Sequence, residues 1–325
     1  MKKLAQTANL IPFQKPSGLQ ISGYDCLIET WLGHFTSVHT VRVYRHTITE
    51  FFEFLSQDGL TIPLLSQFLL GEQTQAVELV SNYKVWLLQK DLTPATVNRK
   101  LATIKSLVNY ASSIGKCFYT LSNIKTQSVT NYRDTTGISS DSFKLILAQI
   151  NRSTLKGKRD YAILLLLWGN ALRRSEVAQC QIQDFEPEDK RLWILGKGKK
   201  NQKQQVSLGK ETIKAISEWL EVRGNVNEDE PLFCVVHKGY WGHQLDTNVI
   251  YKMVRKYALQ AGIKKVISPH RLRHSAITAA LEATNGDVRA VQKLSRHSSL
   301  NTLMVYDDNR RNEQGRVTDL LEDLL

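Results

Sequence analysis

Eight consecutive apolar residues at positions 161–168, YAILLLLW, restrict the folds open to this chain. A run of that length fits a helix buried in a protein core, whereas a membrane-spanning helix needs roughly 18 or more apolar residues. It is the longest apolar run in the sequence, so we expect no membrane segment. Polar residues from Gln6 onward interrupt the N-terminus, and the four cysteines are far apart. Both features predict a protein without a signal peptide that folds in a reducing compartment.

The charge of the chain points to nucleic acid. Its 43 Lys and Arg residues exceed its 31 Asp and Glu residues, which gives a formal net charge of +12. The excess is segregated, because residues 92–133 and 247–281 contain basic residues and no acidic one, whereas the tail after residue 306 is net acidic. Basic surfaces attract phosphate groups, although net charge alone fits a soluble basic protein equally well. A charged content of 23% with 42% hydrophobic residues excludes disordered and fibrous classes.

The spacing of apolar residues predicts an N-terminal helical domain. Segments 40–55, 77–89 and 95–112 each carry apolar residues on one face. Thr93 and the proline after it supply an N-cap and a first-turn proline for the last of them. The opposite face of segment 95–112 is polar and basic, which suits a phosphate backbone but also an ordinary solvated face. Residues 122–138 lack apolar periodicity, and this predicts a linker.

Beyond the linker, the pattern predicts a second, mostly helical domain with one small sheet. The expected elements are helices at 140–150, 160–170 and 212–222, a helix from Pro269, and strands at 178–182, 192–195 and 205–208. The last two strands are joined by GKGKKNQKQ at 196–204, a loop expected to carry four lysines at its tip. In isolation, these lysines fit a solvated hairpin as well as a phosphate contact.

Three polar clusters carry the chemistry available to this chain. In ALRRSE at 171–176, an arginine follows the apolar run, where burial is costly unless the side chain meets an anion or a carboxylate. In HRLRH at 270–274, two imidazoles and a guanidinium share one helix face. Zinc is an alternative there, although the neighbouring cations disfavour Zn²⁺ and favour a phosphate. Tyr306 follows the third cluster, LSRHSSL at 294–300, and its hydroxyl is the only group in the set able to attack phosphorus covalently without a metal.

These clusters, together with the lysine-rich loop, resemble the four catalytic boxes of the tyrosine recombinases, also called the phage integrase family. Their order matches, as does the spacing from His297 to Tyr306, and TVNRKL at 96–101 resembles a run in the family's core-binding domain. The resemblance covers about residues 22–310. It implies a mainly α fold, with a helical SAM-like core-binding domain and a mostly helical catalytic domain that contains a small antiparallel β-sheet, the DNA breaking-rejoining fold. The implied division is a short extension at 1–20, a core-binding domain at 21–121, a linker at 122–138, a catalytic domain at 139–310 and a tail helix at 311–325.

The resemblance also assigns roles to individual residues. The implied catalytic residues are Arg173, Lys197, His270, Arg273, His297 and the nucleophile Tyr306. Glu176 and His274 are implied to support them. The residues expected to bind DNA are Arg99, Lys100, Lys105, Lys199, Lys200 and Arg271. Two positions depart from the family pattern, since Ala171 and Arg296 each replace a glycine, and a glycine before His297 would tolerate a positive φ.

The activity implied by the resemblance is site-specific recombination. Tyr306 is expected to cut and rejoin DNA through a 3′-phosphotyrosyl intermediate, with no metal, nucleotide or other cofactor. The expected partners are double-stranded DNA and further copies of the chain, in a tetramer on two DNA sites, with no membrane. The apolar face of the tail, from Val317 to Leu325, is expected to dock on a neighbouring protomer, with packing on its own domain as the alternative. The expected location is the bacterial cytoplasm, at the nucleoid.

Three other functions stay open at this point, and one of them is a zinc hydrolase, which metal analysis of the purified protein would test. A type IB topoisomerase uses similar residues but relaxes supercoils as a monomer. A non-catalytic DNA-binding regulator would keep the basic faces without needing Tyr306 or Lys197. The short N-terminal extension predicts a layout similar to that of the Xer recombinases, without the arm-binding domain of the larger phage integrases.

Overall fold

The computed structural model describes residues 23–128, 137–196, 202–224, 226–297, 299–301, 303, 304, 306 and 313–324. The chain divides into two compact units, residues 1–131 and 132–325. The fold is mainly α-helical with one small antiparallel sheet, which confirms the predicted fold class. Among the described residues, no helix is both long and apolar enough to cross a bilayer.

The first unit is helical, and its core is formed by apolar helix faces. Its helices are α1 (Leu27–Gly33), α2 (Val38–Leu55), α3 (Ile62–Leu70), α4 (Gln73–Gln89) and α5 (Pro94–Ser113). Helices α2, α4 and α5 correspond to the three segments predicted from apolar spacing. The side chains of Ser37 and Thr93 cap α2 and α5 by each accepting a backbone N–H, and Pro94 occupies the first turn of α5. The N-terminal signals in the sequence therefore set these helix starts.

The chain beyond α5 is held by polar side chains of that helix. Ile124 is buried in the core of the first unit. The Lys105 ammonium donates to the Ile124 carbonyl oxygen at 2.6 Å, and the Asn98 amide makes two hydrogen bonds, of 2.7 and 2.9 Å, with the backbone of Gln127. Ile124 and Gln127, in the first half of the predicted linker, are therefore held on the first unit, whereas Ile138 at its end packs in the second unit and donates its backbone N–H to Ser275. The contacts with the first unit use two residues from the α5 face that was expected to meet DNA.

The second unit is built around the apolar run. Its helices are α6 (Ser140–Ala148), α7 (Leu155–Gly169), α8 (Arg174–Gln179), α9 (Lys210–Arg223), α10 (Thr247–Gln260), α11 (Pro269–Ala283), α12 (Val288–Ser295) and α13 (Glu313–Glu322). Helix α7 contains YAILLLLW and packs against α9 and α11. Ile163, Leu164 and Leu167 on α7 are fully buried. The run therefore forms a core helix, as its length predicted.

The sheet has three antiparallel strands in the order β1 (Phe185–Glu186), β2 (Arg191–Leu195) and β3 (Lys203–Ser207). On β2, Leu192 pairs with Phe185 on one side and Val206 on the other. The predicted strand at 178–182 is wrong. Its first residues, including the buried Ala178, belong to the end of helix α8. The Glu176 side chain caps the start of that helix by accepting the backbone N–H of Arg173.

Among the described residues of the second unit, four residues other than glycine have a left-handed backbone, and two of them lie near predicted catalytic residues. Ala171, between α7 and α8, has φ 44°, and Arg296, which ends α12, has φ 57° and ψ 36°. This conformation costs a residue with a side chain on the order of 1–3 kcal/mol. These are the two positions at which the family pattern has glycine. Both departures therefore keep a backbone typical of glycine and add a side chain to it.

Candidate active site

Helix α11 places two predicted imidazoles one turn apart. Ser268 caps its N-terminus by accepting the backbone N–H of Arg271, and a proline fills the first turn. The Nε2 atoms of His270 and His274 are 2.7 Å apart, a distance at which one ring donates a hydrogen bond to the other. Within the described ranges, no group of three or more His, Cys, Asp or Glu side chains is arranged to hold a metal ion.

Tyr306 lies in the same site and is only 4% exposed. Its hydroxyl is 3.2 Å from His274 Nε2, and its ring lies beside that of His297, with centroids 6.2 Å apart. His270 bonds the same nitrogen of His274. The imidazole in direct contact with the tyrosine hydroxyl is therefore that of His274, and His270 reaches the hydroxyl through it.

Arg273 occupies the buried side of α11. Its guanidinium donates to the carbonyl oxygens of Ala171 and Ser295, so it ties α11 to the turn before α8 and to the end of α12. Burial, reinforced by the nearby Arg173 and Arg296 guanidinium groups, lowers the pKa of Arg273 to about 10. Arg273 therefore stays charged at neutral pH.

Arg173 is held at the start of α8 by Glu176. The Glu176 carboxylate is buried, and it accepts the backbone N–H and the Nη1 of Arg173, both at 2.7 Å. The carboxylate therefore satisfies a free N–H at the helix start and orients the arginine side chain at the same time. About 30% of the Arg173 side chain is exposed, which leaves it accessible to an anion.

His297 is a neutral imidazole in this cationic site. Its Nε2 lies 3.4 Å from Nη2 of Arg273. Burial, followed by the guanidinium groups of Arg273, Arg173 and Arg296, lowers the pKa of His297 to about 4. Among the described residues, the guanidinium groups of Arg173 and Arg296 thus pair with the carboxylate of Glu176, and the guanidinium of Arg273 lies close to both of them. A bound phosphodiester would offset this excess of positive charge.

Family models match both units of the chain. The model of the phage integrase family matches residues 138–313, more than half of the 325 residues. The chain belongs to the phage integrase family. The model of the phage integrase N-terminal SAM-like domain matches residues 31–115. The four boxes and the core-binding run in the sequence predicted this membership, and the matches confirm it.

Similar proteins carry the name tyrosine recombinase. The chain is 49% identical over 311 residues to a tyrosine recombinase of Synechocystis sp., which covers 95% of this chain and 99% of that protein. It is 43% identical over 299 residues to a tyrosine recombinase of Synechococcus elongatus, which covers 92% of this chain and 93% of that protein. A crystal structure of a lambda integrase tetramer bound to a Holliday junction has the same fold, with a TM-score of 0.62 at 12% identity, covering 88% of this chain and 76% of that chain. The chain is thus a tyrosine recombinase, as predicted.

The lysine-rich loop of this recombinase is described only at its ends. Lys197, Lys199 and Lys200 lie outside the described residues. Lys203 belongs to strand β3, where its ammonium bonds Asp184 and Gln181. The prediction that four lysines share the tip of the loop is therefore wrong for Lys203, because a buried carboxylate holds its ammonium at the sheet.

The residues expected to bind DNA differ in their surroundings. Arg99 is exposed on α5, and Arg271 is half-buried on α11. Lys100 is buried and forms an ion pair with Glu50 of α2, so its predicted role in DNA binding is corrected: its ammonium neutralises a carboxylate inside the first unit. Lys105 is half-buried and bonds the backbone at Ile124, as described above.

Arg296 is a site residue whose contacts sequence reasoning missed. Its guanidinium donates to the Glu176 carboxylate at 3.0 Å and to three backbone carbonyl oxygens. The available signal was a long cationic side chain at a glycine position, directly before the predicted phosphate-binding His297. That signal does not reveal the partner, because Glu176 lies 120 positions earlier in the chain.

Proposed function

We propose that this recombinase cuts and rejoins double-stranded DNA at specific sites by transesterification. The Tyr306 oxygen attacks a phosphodiester phosphorus, the P–O5′ bond breaks, and the products are a 3′-phosphotyrosyl bond and a free 5′-hydroxyl. Attack by that hydroxyl, or by one from another strand, reverses the step and rejoins DNA. One observation carries the proposal: among the described residues, the buried Tyr306 hydroxyl contacts an imidazole in a site that also holds the guanidinium groups of Arg173, Arg273 and Arg296, two of which share the carboxylate of Glu176.

Arg173, Arg273 and His297 are proposed to bind the non-bridging oxygens of the phosphate. Negative charge builds on these oxygens in the pentacoordinate state, and preorganised donors stabilise it. The neutral imidazole of His297 contributes an N–H rather than a charge. Loss of one such donor typically costs about 2.7–4 kcal/mol of transition-state stabilisation, which is roughly 10²- to 10³-fold in rate.

The proton of Tyr306 is proposed to leave to His274, with His270 in support. His274 Nε2 is within 3.2 Å of the hydroxyl and accepts the proton as the oxygen attacks. His270 lies 2.7 Å from the same nitrogen and assists by orienting the His274 ring. By the family resemblance, Lys197 protonates the departing 5′-oxygen, and the reaction needs neither metal nor nucleotide. The residues proposed to bind DNA are Arg99, Lys199, Lys200 and Arg271.

The test is formation of a covalent protein–DNA adduct. First, the target sites are identified: cells that express the recombinase are lysed under denaturing conditions, and the DNA that stays covalently attached to the protein is sequenced. A nicked duplex of that sequence is then incubated with purified protein. The wild-type protein and Tyr240→Phe, a matched change at an exposed tyrosine, are expected to form the adduct, whereas Tyr306→Phe is not. An adduct with Tyr306→Phe would refute the assignment. Supercoil relaxation by the protein without strand exchange between two sites would favour the topoisomerase function instead.

The assembly is proposed to be a tetramer on two DNA sites, joined through helix α13, and to act at the nucleoid in the bacterial cytoplasm. Support comes from the exposed apolar residues Val317, Leu320 and Leu321 of α13 and from Leu324 just beyond it. The lambda integrase tetramer on a Holliday junction has the same fold as this chain. Deletion of residues 312–325 is expected to abolish cooperative binding and exchange between two sites while leaving single-site cleavage. Unchanged cooperativity would refute docking in trans, and Asp319→Asn serves as a control on the same helix.

A further inference from the structure

The residue before His297 combines an unfavourable backbone with a buried cation. Arg296 has a left-handed backbone, at φ 57°, and its side chain is only 13% exposed. Burial lowers its pKa below the usual value for arginine. A glycine there would avoid the backbone penalty, and a surface arginine would avoid the desolvation penalty. The contacts of the side chain must therefore offset both.

The hydrogen bonds of the Arg296 guanidinium saturate its two terminal nitrogens. Nη1 donates to the carbonyl oxygens of Leu294, at 2.8 Å, and Asn170, at 3.2 Å. Nη2 donates to Oε2 of Glu176, at 3.0 Å, and to the carbonyl oxygen of Ala171, at 3.3 Å. Each terminal nitrogen has two hydrogens, so all four are in use. The group therefore has no terminal N–H left for a phosphate, and it joins the end of α12 to the turn before α8.

Both acceptors that Arg296 Nη2 contacts also bind a predicted catalytic arginine. Glu176 holds Arg173 through its Nη1 and its backbone N–H, and the Ala171 carbonyl oxygen accepts from Arg273. Arg296 consequently touches the supports of both arginines without occupying the place of either.

The charge of Arg296 also matters for Glu176. With Arg296 present, the single negative charge of the carboxylate is shared between two guanidinium groups. Without it, the carboxylate would be balanced by Arg173 alone. This would strengthen their pair and weaken the pull of Arg173 on a phosphate, since opposite charges compete for the same partner.

We propose that Arg296 is a positioning residue for the strand-cleavage reaction, which keeps Glu176 and the Ala171 carbonyl in place so that Arg173 and Arg273 converge on the scissile phosphate. This inference rests on the proposed function. It assigns Arg296 no contact with DNA. Its removal therefore slows the chemical step and leaves the affinity for DNA nearly unchanged.

The experiment compares Arg296→Gly and Arg296→Lys with wild type on the nicked duplex. Arg296→Gly removes the guanidinium and suits the backbone, whereas Arg296→Lys keeps a charge but cannot reach four acceptors. Lys190→Gly is the matched control, because Lys190 is an exposed lysine at φ 55° in the β1–β2 turn. Melting temperature, the dissociation constant for DNA and the single-turnover rate of adduct formation are measured for each. Tyr306→Phe is run in parallel, so that failure of the proposed function is distinguished from failure of this inference.

Arg296→Gly is expected to slow adduct formation about 10- to 100-fold with less than a twofold change in the dissociation constant, since a small misplacement of catalytic groups has effects of this size. Guanidinium chloride at millimolar concentration is expected to restore part of that rate, and Arg296→Lys is expected to lie between glycine and wild type. If Arg296→Gly does not fold, the same split between rate and affinity in Arg296→Lys decides. Three results would overturn the proposal. The first is a wild-type rate of adduct formation in Arg296→Gly, and the second is a loss confined to DNA affinity. The third is a folded Arg296→Gly whose rate guanidinium does not restore.

Discussion

Two neighbouring residues of helix α5 give opposite predictions. Lys100→Ala removes a buried ammonium that pairs with Glu50, whose side chain is 15% exposed. Breaking a fully buried ion pair by removing one partner costs ~3–5 kcal/mol, and the partial exposure of Glu50 places the expected loss in free energy of unfolding at about 2–3 kcal/mol. Arg99→Ala removes an exposed cation, so stability is expected to stay within about 0.5 kcal/mol while DNA binding weakens.

Urea denaturation and salt-dependent DNA binding separate the two outcomes. Lys100→Ala is expected to lower the urea midpoint of the first unit and to leave the affinity of the folded protein unchanged. Arg99→Ala is expected to reduce the slope of log affinity against log salt by about one. Combining Lys100→Met with Glu50→Gln removes both charges and is expected to recover much of the lost stability. Unchanged stability with weakened binding in Lys100→Ala would refute the burial argument and restore Lys100 as a DNA contact.

The remaining predictions concern the histidines of the site. His274→Asn is expected to slow adduct formation by about 10²- to 10³-fold at pH 7, with the loss shrinking as the pH is raised, because hydroxide then replaces the base. A pH-independent loss measured in single turnovers would contradict this role. His297 has its folded-state pKa lowered to about 4, whereas the unfolded chain takes up the proton near 6.5. Unfolding therefore binds a proton between these values, and this residue makes the protein less stable as pH falls from 6.5 to 4. Melting curves of wild type and His297→Asn should diverge with pH in that window, and parallel curves would contradict the assignment.

Local signals in the sequence predicted the helices well. Thr93 with its proline, and Ser268 with its proline, mark the starts of α5 and α11, because capping involves residues only a few positions apart. The pattern at 178–182 predicts a strand and is wrong, because the interaction that favours helix α8 is a carboxylate that accepts the backbone N–H of Arg173. Helix α8 has only six residues and little apolar periodicity, so its sequence does not reveal that contact.

Composition, motif order and spacing were sufficient for the family, the two-unit architecture and the identity of the chemical groups, because each depends on residue type and position along the chain. Tertiary structure decided which of those groups meet. It buried Lys100 against Glu50, brought His274 rather than His270 to the Tyr306 hydroxyl, and joined Arg296 to Glu176. The paired residues are far apart in the chain: 32 positions separate His274 from Tyr306, 50 separate Glu50 from Lys100, and 120 separate Glu176 from Arg296. The folding of α2 onto α5 and of α8, α11 and α12 around one site creates them, and the periodicity of a single helix contains no information about its neighbours.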